Sequence, residues 1–154
     1  MSRFAVAFCV AQLFFLGASA MSAQDSSYDE NALRVETRYG DLQIVRGVQG
    51  AVVARAGVFR GPKVADIVSG SERALAEAKA FERDYQPGQS VLAIGIATLG
   101  AAIGAWRIPE INPAIPAGLT IVSVSLITYG GMKLERAYRA LSKAIWWYNR
   151  DLKK

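Results

Sequence analysis

Two uncharged apolar stretches decide the fold: VLAIGIATLGAAIGAW at Val91–Trp106 and IPAGLTIVSVSLITYGGM at Ile115–Met132. A helix that crosses the ~30 Å hydrocarbon core of a bilayer needs about 20 predominantly apolar residues. Each stretch approaches that length, and only eight residues separate the two. Pro109 and Pro113 in this connection favour a turn. The sequence therefore predicts a transmembrane helical hairpin over residues 90–132.

The rest of the chain divides into three segments. Residues 1–23 have the order of a secretory signal peptide, with a basic start, an apolar run and small residues at the end. The run is shorter than a spanning helix, so cleavage after Ala20 or Ala23 is expected, with an uncleaved signal anchor as the alternative. Residues 24–89 have the composition of a small soluble region, and residues 133–154 form a basic tail.

The soluble region combines strand and helix signals. Apolar and polar side chains nearly alternate over 33–38 and 42–46, residues 51–59 are rich in valine, and glycines lie between these runs. Three short strands joined by turns are therefore expected. Pro62 is placed to open a short helix through Val68, since proline is favoured at the first helical position.

A longer helix is predicted to begin at Ser69 or Ser71. Ser69 with Glu72 has the spacing of a capping box, and an apolar stripe typical of core packing follows it. Pro87 and the glycine after it predict the end of this helix.

The tail has the most regular helical pattern in the chain. Apolar side chains alternate at spacings of four and three, which places them on one face of a helix. Outside this face the tail is basic, and it accounts for the formal net charge of +5. We expect this amphipathic helix to continue the second apolar helix and to pack on the soluble region, with a lipid interface or a second copy as alternatives. The predicted interaction face consists of Leu134, Tyr138, Leu141, Ile145, Trp146, Trp147, Tyr148 and Asn149.

Small side chains recur along both apolar stretches, and they allow helix backbones to approach closely in a membrane. The residues predicted to pack the two helices together are Ala93, Ala97, Gly100, Ala101, Gly104, Gly118, Ser125 and Thr128. Two alternatives stay open. The same residues would suit a glycine zipper that assembles a homo-oligomeric channel or pore, and both stretches would also suit buried helices of a soluble bundle.

The available side chains exclude several chemistries. The chain has no histidine, and its one cysteine, Cys9, lies in the predicted leader. The mature chain would therefore lack cysteine nucleophiles, disulfides, histidine bases and His/Cys metal sites. Phosphate-binding glycine loops and the Ser-x-x-Lys arrangement are also absent from the sequence. We predict no catalytic, cofactor-binding or metal-binding residue and no enzymatic activity; the best residual carboxylates, Asp66, Glu72 and Glu77, are typical of solvated surface charge.

The leader and the hairpin together predict a location. An exported leader places residues 24–89 outside the cytoplasm, and an even number of spans returns the tail to the same side. The expected location is the bacterial cell envelope, in the inner membrane rather than the outer, with both parts in the periplasm. The positive-inside rule would instead place the basic tail in the cytoplasm, so the orientation stays open. The soluble region is close to neutral, which argues against a nucleic-acid partner.

Several marks in fixed order resemble a known group of proteins. They are the leader, the strand-rich region with Gly-Val-Phe-Arg-Gly-Pro-Lys at 57–63, the alanine-rich helix through Phe81, the glycine-containing hairpin, and the closing Ala-Ile-Trp-Trp-Tyr-Asn at 144–149. Together they resemble a loose group of small uncharacterised envelope proteins of Gram-negative bacteria that end on an Ala-Ile/Val-x-x-Tyr-Asn signature. The resemblance implies a fold and a compartment, and it gives Tyr148 and Asn149 a structural role.

These observations favour a mainly α membrane protein with a small α+β exported region. The expected function is a non-enzymatic scaffold or accessory subunit of a membrane complex, and a homo-oligomeric pore is the alternative. Its expected partners are membrane lipid and either a larger membrane protein complex or further copies of the chain.

Overall fold

The computed structural model describes residues 28–38, 41–57, 61 and 63–153. The predicted signal peptide and Pro62 lie outside these residues. The described chain is mainly helical (67%), with two long apolar helices and a small antiparallel sheet N-terminal to them. The elements are β1 (Leu33–Arg38), β2 (Asp41–Arg46), β3 (Ala51–Ala56), α1 (Val64–Ile67), α2 (Glu72–Ala105) and α3 (Ala114–Asp151).

The three strands form an antiparallel sheet in the order β1-β2-β3, which confirms the three predicted strands. The third strand ends at Ala56, and residues 58–59 of the predicted valine-rich run lie outside the described residues. Gly47 and Gly50 in the β2–β3 turn have positive φ angles of 68° and 69°, which glycine adopts without a steric penalty. A Cβ on Gly47 would lie 2.6 Å from the carbonyl oxygen of Glu30. The turn therefore fits closely against the single helical turn at residues 28–31.

The start of α2 differs in detail from the predicted capping box. Ser71 is the N-cap, and its hydroxyl accepts a hydrogen bond from the Ala74 amide at 3.3 Å. Ser69 is exposed and precedes the helix, so the predicted pair of Ser69 with Glu72 is not the cap. The Ser71 hydroxyl also donates to Asp151 at 2.5 Å, so the cap joins the start of α2 to the end of α3.

The predicted helix end at Pro87 is wrong, because α2 continues through it for a total of 34 residues. Proline removes one backbone hydrogen bond from a helix interior, but this proline is exposed and the helix is supported along its other face. Gly88 lies on that supported face, where an added Cβ would lie 3.1 Å from the Cβ of Lys133. The predicted division at residues 89 and 90 therefore falls inside a continuous helix.

The second apolar stretch and the tail form one helix of 38 residues, as predicted. At ~1.5 Å per residue, α2 and α3 are about 51 and 57 Å long. They run antiparallel, joined by the proline-containing turn at residues 106–113. Because the sheet is too small to cover helices of this length, only one half of each helix packs on it.

One hydrophobic core holds the sheet to these helix halves. Leu33 and Ile44 of the sheet belong to the same buried cluster as Phe81 of α2 and Leu141 of α3. The prediction that the tail packs on the soluble region is therefore confirmed. We call the described residues 28–89 and 133–153 the head, and residues 90–132 the stem.

Candidate functional site

The stem presents an apolar surface that the described residues do not cover. Both helices have a segment long and apolar enough to cross a membrane, and only 17% of each such segment is buried. A core helix of a soluble bundle is mostly buried, and within the described residues these two segments are not. The exposed large apolar side chains of the stem are Ile94, Ile96, Ile103, Trp106, Ile108, Ile115, Ile121, Val122, Val124, Tyr129 and Met132.

The two stem helices contact each other through small residues that recur every seven positions. The buried residues of the stem are Gly95 and Ala102 on α2 and Pro116, Ser123 and Gly130 on α3, and Gly88 continues the α2 series into the head. An added Cβ on Gly95 would lie 2.9 Å from the Ile127 amide nitrogen, and one on Gly130 would lie 2.8 Å from the Leu92 amide nitrogen. Glycine at these positions thus permits contact between the two helix backbones.

The residues that the sequence predicted for this contact lie elsewhere. All eight are exposed on the outside of the stem: Ala93, Ala97, Gly100, Ala101, Gly104, Gly118, Ser125 and Thr128. An added Cβ on any of the three glycines would meet nothing within 4 Å. The hydroxyls of Ser125 and Thr128 donate to carbonyl oxygens of their own helix. The prediction is corrected accordingly. The helix α2 carries two stripes of small residues, and the stripe that contains Gly88, Gly95 and Ala102 is the one that faces α3.

An ion pair marks the boundary between the head and the stem. Lys133 donates to Asp84 at 2.8 Å, and Arg83 donates to the same carboxylate at 3.2 Å. The Asp84 side chain is only 8% exposed. Hydrogen bonds from Lys133 and Arg83 hold the pKa of Asp84, which lies in the head, below its ordinary value. No other charged residue occurs between Asp84 and Arg107 or between Ala114 and Lys133.

We expect Lys133→Met to destabilise the folded chain by about 1–3 kcal/mol, because it removes a charged hydrogen bond from a buried carboxylate. Asp84 has a depressed pKa in the fold, so its contribution is present above the ordinary pKa of about 3.9 and is lost as the pH falls through the folded value. The difference between wild type and variant should therefore shrink in acid. Thermal unfolding in detergent at several pH values measures it, with Lys79→Met at an exposed site as the control.

Most of the predicted tail face packs inside the head, against the sheet and α2. Leu134, Leu141 and Ile145 are buried, and Tyr138 contacts the Tyr85 ring edge-on with the centroids 6.1 Å apart. The remaining predicted residues lie toward the end of α3, where Trp147, Tyr148 and Asn149 are partly buried and Trp146 is 55% exposed.

Asn149 joins the end of α3 to the edge of the sheet. Its side-chain oxygen accepts from the Leu33 amide and its side-chain nitrogen donates to the Leu33 carbonyl, both at 2.8 Å. The side chain thus occupies the place of a neighbouring strand at the first residue of β1. The sequence suggested a structural role for Asn149 but gave no sign of its partner.

Cations and aromatic rings stack at the same end of α3. The rings of Trp146 and Trp147 contact each other edge-on with centroids 4.6 Å apart. The guanidinium of Arg150 lies 5.4 and 5.0 Å from these two ring centres, and that of Arg73 lies 4.7 Å from the second. Lys153 lies 4.4 Å from the ring of Tyr28. We call these six residues the distal cluster; Arg73 and Tyr28 could not be assigned to it from the sequence, because they come from other elements.

The carboxylates considered for catalysis are not assembled. Asp66 and Glu72 are exposed, and Glu77 lies 3.9 Å from Lys143. Within the described residues, no group of three or more histidine, cysteine, aspartate or glutamate side chains is arranged to hold a metal ion.

Two surfaces thus stand out in the described part of the chain: the apolar exterior of the stem and the distal cluster. Comparisons of the chain with protein families, with curated proteins and with solved structures find no match.

Proposed function

We propose that this chain is a non-enzymatic integral membrane protein of the bacterial envelope that acts as a scaffold or accessory subunit of a membrane complex. The observation that carries the proposal is the stem, whose large apolar side chains face outward while its two helices meet through small residues. Water is an unfavourable solvent for such a surface, since burying each large apolar side chain is worth about 1.5–3 kcal/mol.

The dimensions of the stem support insertion. Residues 90–106 and 114–132 are about 26 and 28 Å long as helices, close to the ~30 Å hydrocarbon thickness. Trp106 lies at one end beside Arg107, and the Asp84–Lys133 pair lies at the other. Tryptophan and basic residues are favoured at membrane interfaces. If a bilayer surrounds the stem, Trp106 and Arg107 lie at one membrane surface and the Asp84–Lys133 pair lies at the other.

In this proposal the head lies on one side of the membrane, because the sheet and the tail share one core. The leader favours the periplasm, and we propose that side of the inner membrane. Labelling of single cysteines in a Cys9→Ser chain tests the orientation. We expect Lys63→Cys to react with an impermeant maleimide in intact spheroplasts, and Arg107→Cys to react only after lysis. The opposite pattern would place the head in the cytoplasm.

The accessory role rests on the exterior of the stem. Ala97, Gly100, Ala101 and Gly104 form an exposed stripe where a helix of another protein has room to approach closely. A photocrosslinking residue at Ala101 should capture a heterologous membrane protein, whereas the same residue at Glu72 on the head should not. A monodisperse monomer without a crosslinked partner would contradict the proposal.

A homo-oligomeric pore is the second candidate, favoured by the open space around Gly100, Gly104 and Gly118. Copies of the chain would then pack stem against stem through these glycines. The pore predicts bilayer conductance that Gly100→Leu or Gly104→Leu abolishes, and crosslinks from Ala101 to a second copy. Absence of conductance together with heterologous crosslinks would exclude it.

A further inference from the structure

A cavity of about 290 Å³ opens at the end of α3 that is farthest from the stem. It is lined by Tyr28, Trp146, Asn149, Arg150 and Lys153, so it lies between the helical turn at residues 28–31 and the last turns of α3. Its volume is just below the usual range for small-molecule sites, about 300–1,000 Å³, so it suits only a small ligand.

Two cations line the cavity, and each lies over an aromatic ring. Arg150 lies over both tryptophan rings and Lys153 lies over Tyr28. Among the described residues, neither cation forms a salt bridge with a carboxylate. Cations near a helix C-terminus stabilise the helix dipole, which accounts for the charges but not for the exposed Trp146 beside them.

The charge and the walls of the cavity together define a ligand class. A carboxylate carries one negative charge, whereas a phosphomonoester carries about 1.5 to 2 at pH 7 and matches two cations better. A guanidinium binds phosphate through paired hydrogen bonds, and lysine adds a point charge. Trp146 and Tyr28 provide apolar walls of the size of one ring. We propose that this cavity binds a soluble phosphomonoester of a small polyol or sugar.

The position of the cavity favours a soluble ligand over a lipid. Arg150 lies 17 residues beyond Lys133 on one helix, which is about 26 Å along the axis. Headgroups of a bilayer around the stem would therefore lie far from the cavity. The preference for a soluble ester over a lipid headgroup rests on the proposed insertion of the stem. Binding of the phosphate group itself does not depend on that insertion.

Calorimetry and tryptophan fluorescence with the full chain in non-ionic detergent test the proposal, using glucose 6-phosphate as the probe and glucose as the uncharged control. We expect saturable binding of the phosphate ester only. Lys153→Gln and Arg150→Gln should each weaken it about tenfold. Arg136→Gln, at an exposed position of α3 outside the cavity, should leave it unchanged. Because Lys153→Gln keeps Arg150 over the tryptophans, it keeps the test valid if the other variant fails to fold.

Three results would overturn the proposal. The first is no saturable binding of glucose 6-phosphate by the folded chain. The second is equal binding by wild type and both cavity variants. The third is binding to vesicles that contain phosphatidic acid without binding of the soluble ester, which would identify a lipid as the ligand. The first two results do not bear on insertion of the stem, so they overturn this proposal alone. The third would also contradict the separation of about 26 Å between the cavity and a bilayer around the stem.

Discussion

Gly130→Ala is expected to destabilise the paired helices by about 1–3 kcal/mol, whereas Gly131→Ala is expected to leave stability unchanged or to raise it. The new methyl group at Gly130 would lie 2.8 Å from the Leu92 amide nitrogen and 3.0 Å from the Gly88 carbonyl oxygen. These are backbone atoms of the partner helix, so the helices would have to move apart. The methyl group at Gly131 would meet nothing within 4 Å.

Adjacent glycines make this comparison well matched. Both substitutions add one methyl group to the same turn of α3, and both raise helix propensity by up to about 1 kcal/mol in water-exposed helices. Thermal unfolding in detergent, followed by circular dichroism, measures the difference. Equal effects of the two substitutions would contradict the close approach of α2 and α3 at this position.

Asn149→Asp is expected to cost about 2–4 kcal/mol at pH 7, since it leaves the buried Leu33 carbonyl without a donor and places a charge against it. The introduced carboxylate still accepts from the Leu33 amide. When protonated, it also has a donor for the Leu33 carbonyl and so resembles the original amide. Direct contact with the Leu33 carbonyl at 2.8 Å disfavours the charged form, whereas Arg150 and Lys153, which line the same cavity, favour it. Because the carbonyl is the hydrogen-bonded partner and both cations are exposed to water, we expect the pKa of this carboxyl to lie above that in the unfolded chain.

The sign of the pH dependence follows from that raised pKa. The folded variant binds a proton more readily than the unfolded variant, so its deficit relative to wild type should shrink as the pH falls from 7 towards about 4. Denaturant unfolding at these pH values measures the deficit, and hydrogen exchange of the Leu33 amide reports on the contact directly. Asn149→Ala serves as the control, because its deficit should not depend on this titration. A pH-independent deficit for Asn149→Asp would contradict the paired hydrogen bonds.

The regular elements could be predicted from the sequence because local patterns determine them. Alternation of side chains and flanking glycines located the strands, and the spacing of Leu134, Tyr138 and Leu141 located the face of the tail that packs against the sheet and α2. The helix end at Pro87 was mispredicted for a physical reason. Pro87 was interpreted from the local sequence alone. That sequence does not show that α3 supports α2 on the face opposite the proline.

The helix-pairing face was predictable in principle from a longer pattern. The tail spacing continues towards the N-terminus from Leu134 to Gly130, Ser123 and Pro116, and the stripe of α2 continues from Tyr85 to Gly88 and Gly95. In the head the pattern includes large apolar residues such as Phe81 and Leu141, whereas the buried residues of the stem are all small or proline. This longer pattern was overlooked because the stripe that includes Gly100 and Gly104 contains more small residues.

Contacts between distant segments could not be predicted from the sequence. Asn149 and Leu33 are 116 residues apart, and nothing in either neighbourhood signals a side chain that pairs with a strand edge. The distal cluster likewise combines residues from the first described turn, from α2 and from α3. Such pairings depend on how α3 crosses the sheet, which only the three-dimensional arrangement shows.

The most direct test of the membrane account is cysteine accessibility in nanodiscs, where both membrane faces are open to solvent. Single cysteines replace Ile94, Ile121 or Val124 on the outside of the stem, and Ser142 on the exposed surface of the head, in a Cys9→Ser chain. We expect a water-soluble maleimide to label Ser142→Cys rapidly and the three stem positions only after the lipid is removed and the chain is denatured. Stem labelling as fast as that of Ser142→Cys, in a chain that stays monodisperse without lipid or detergent, would contradict the account.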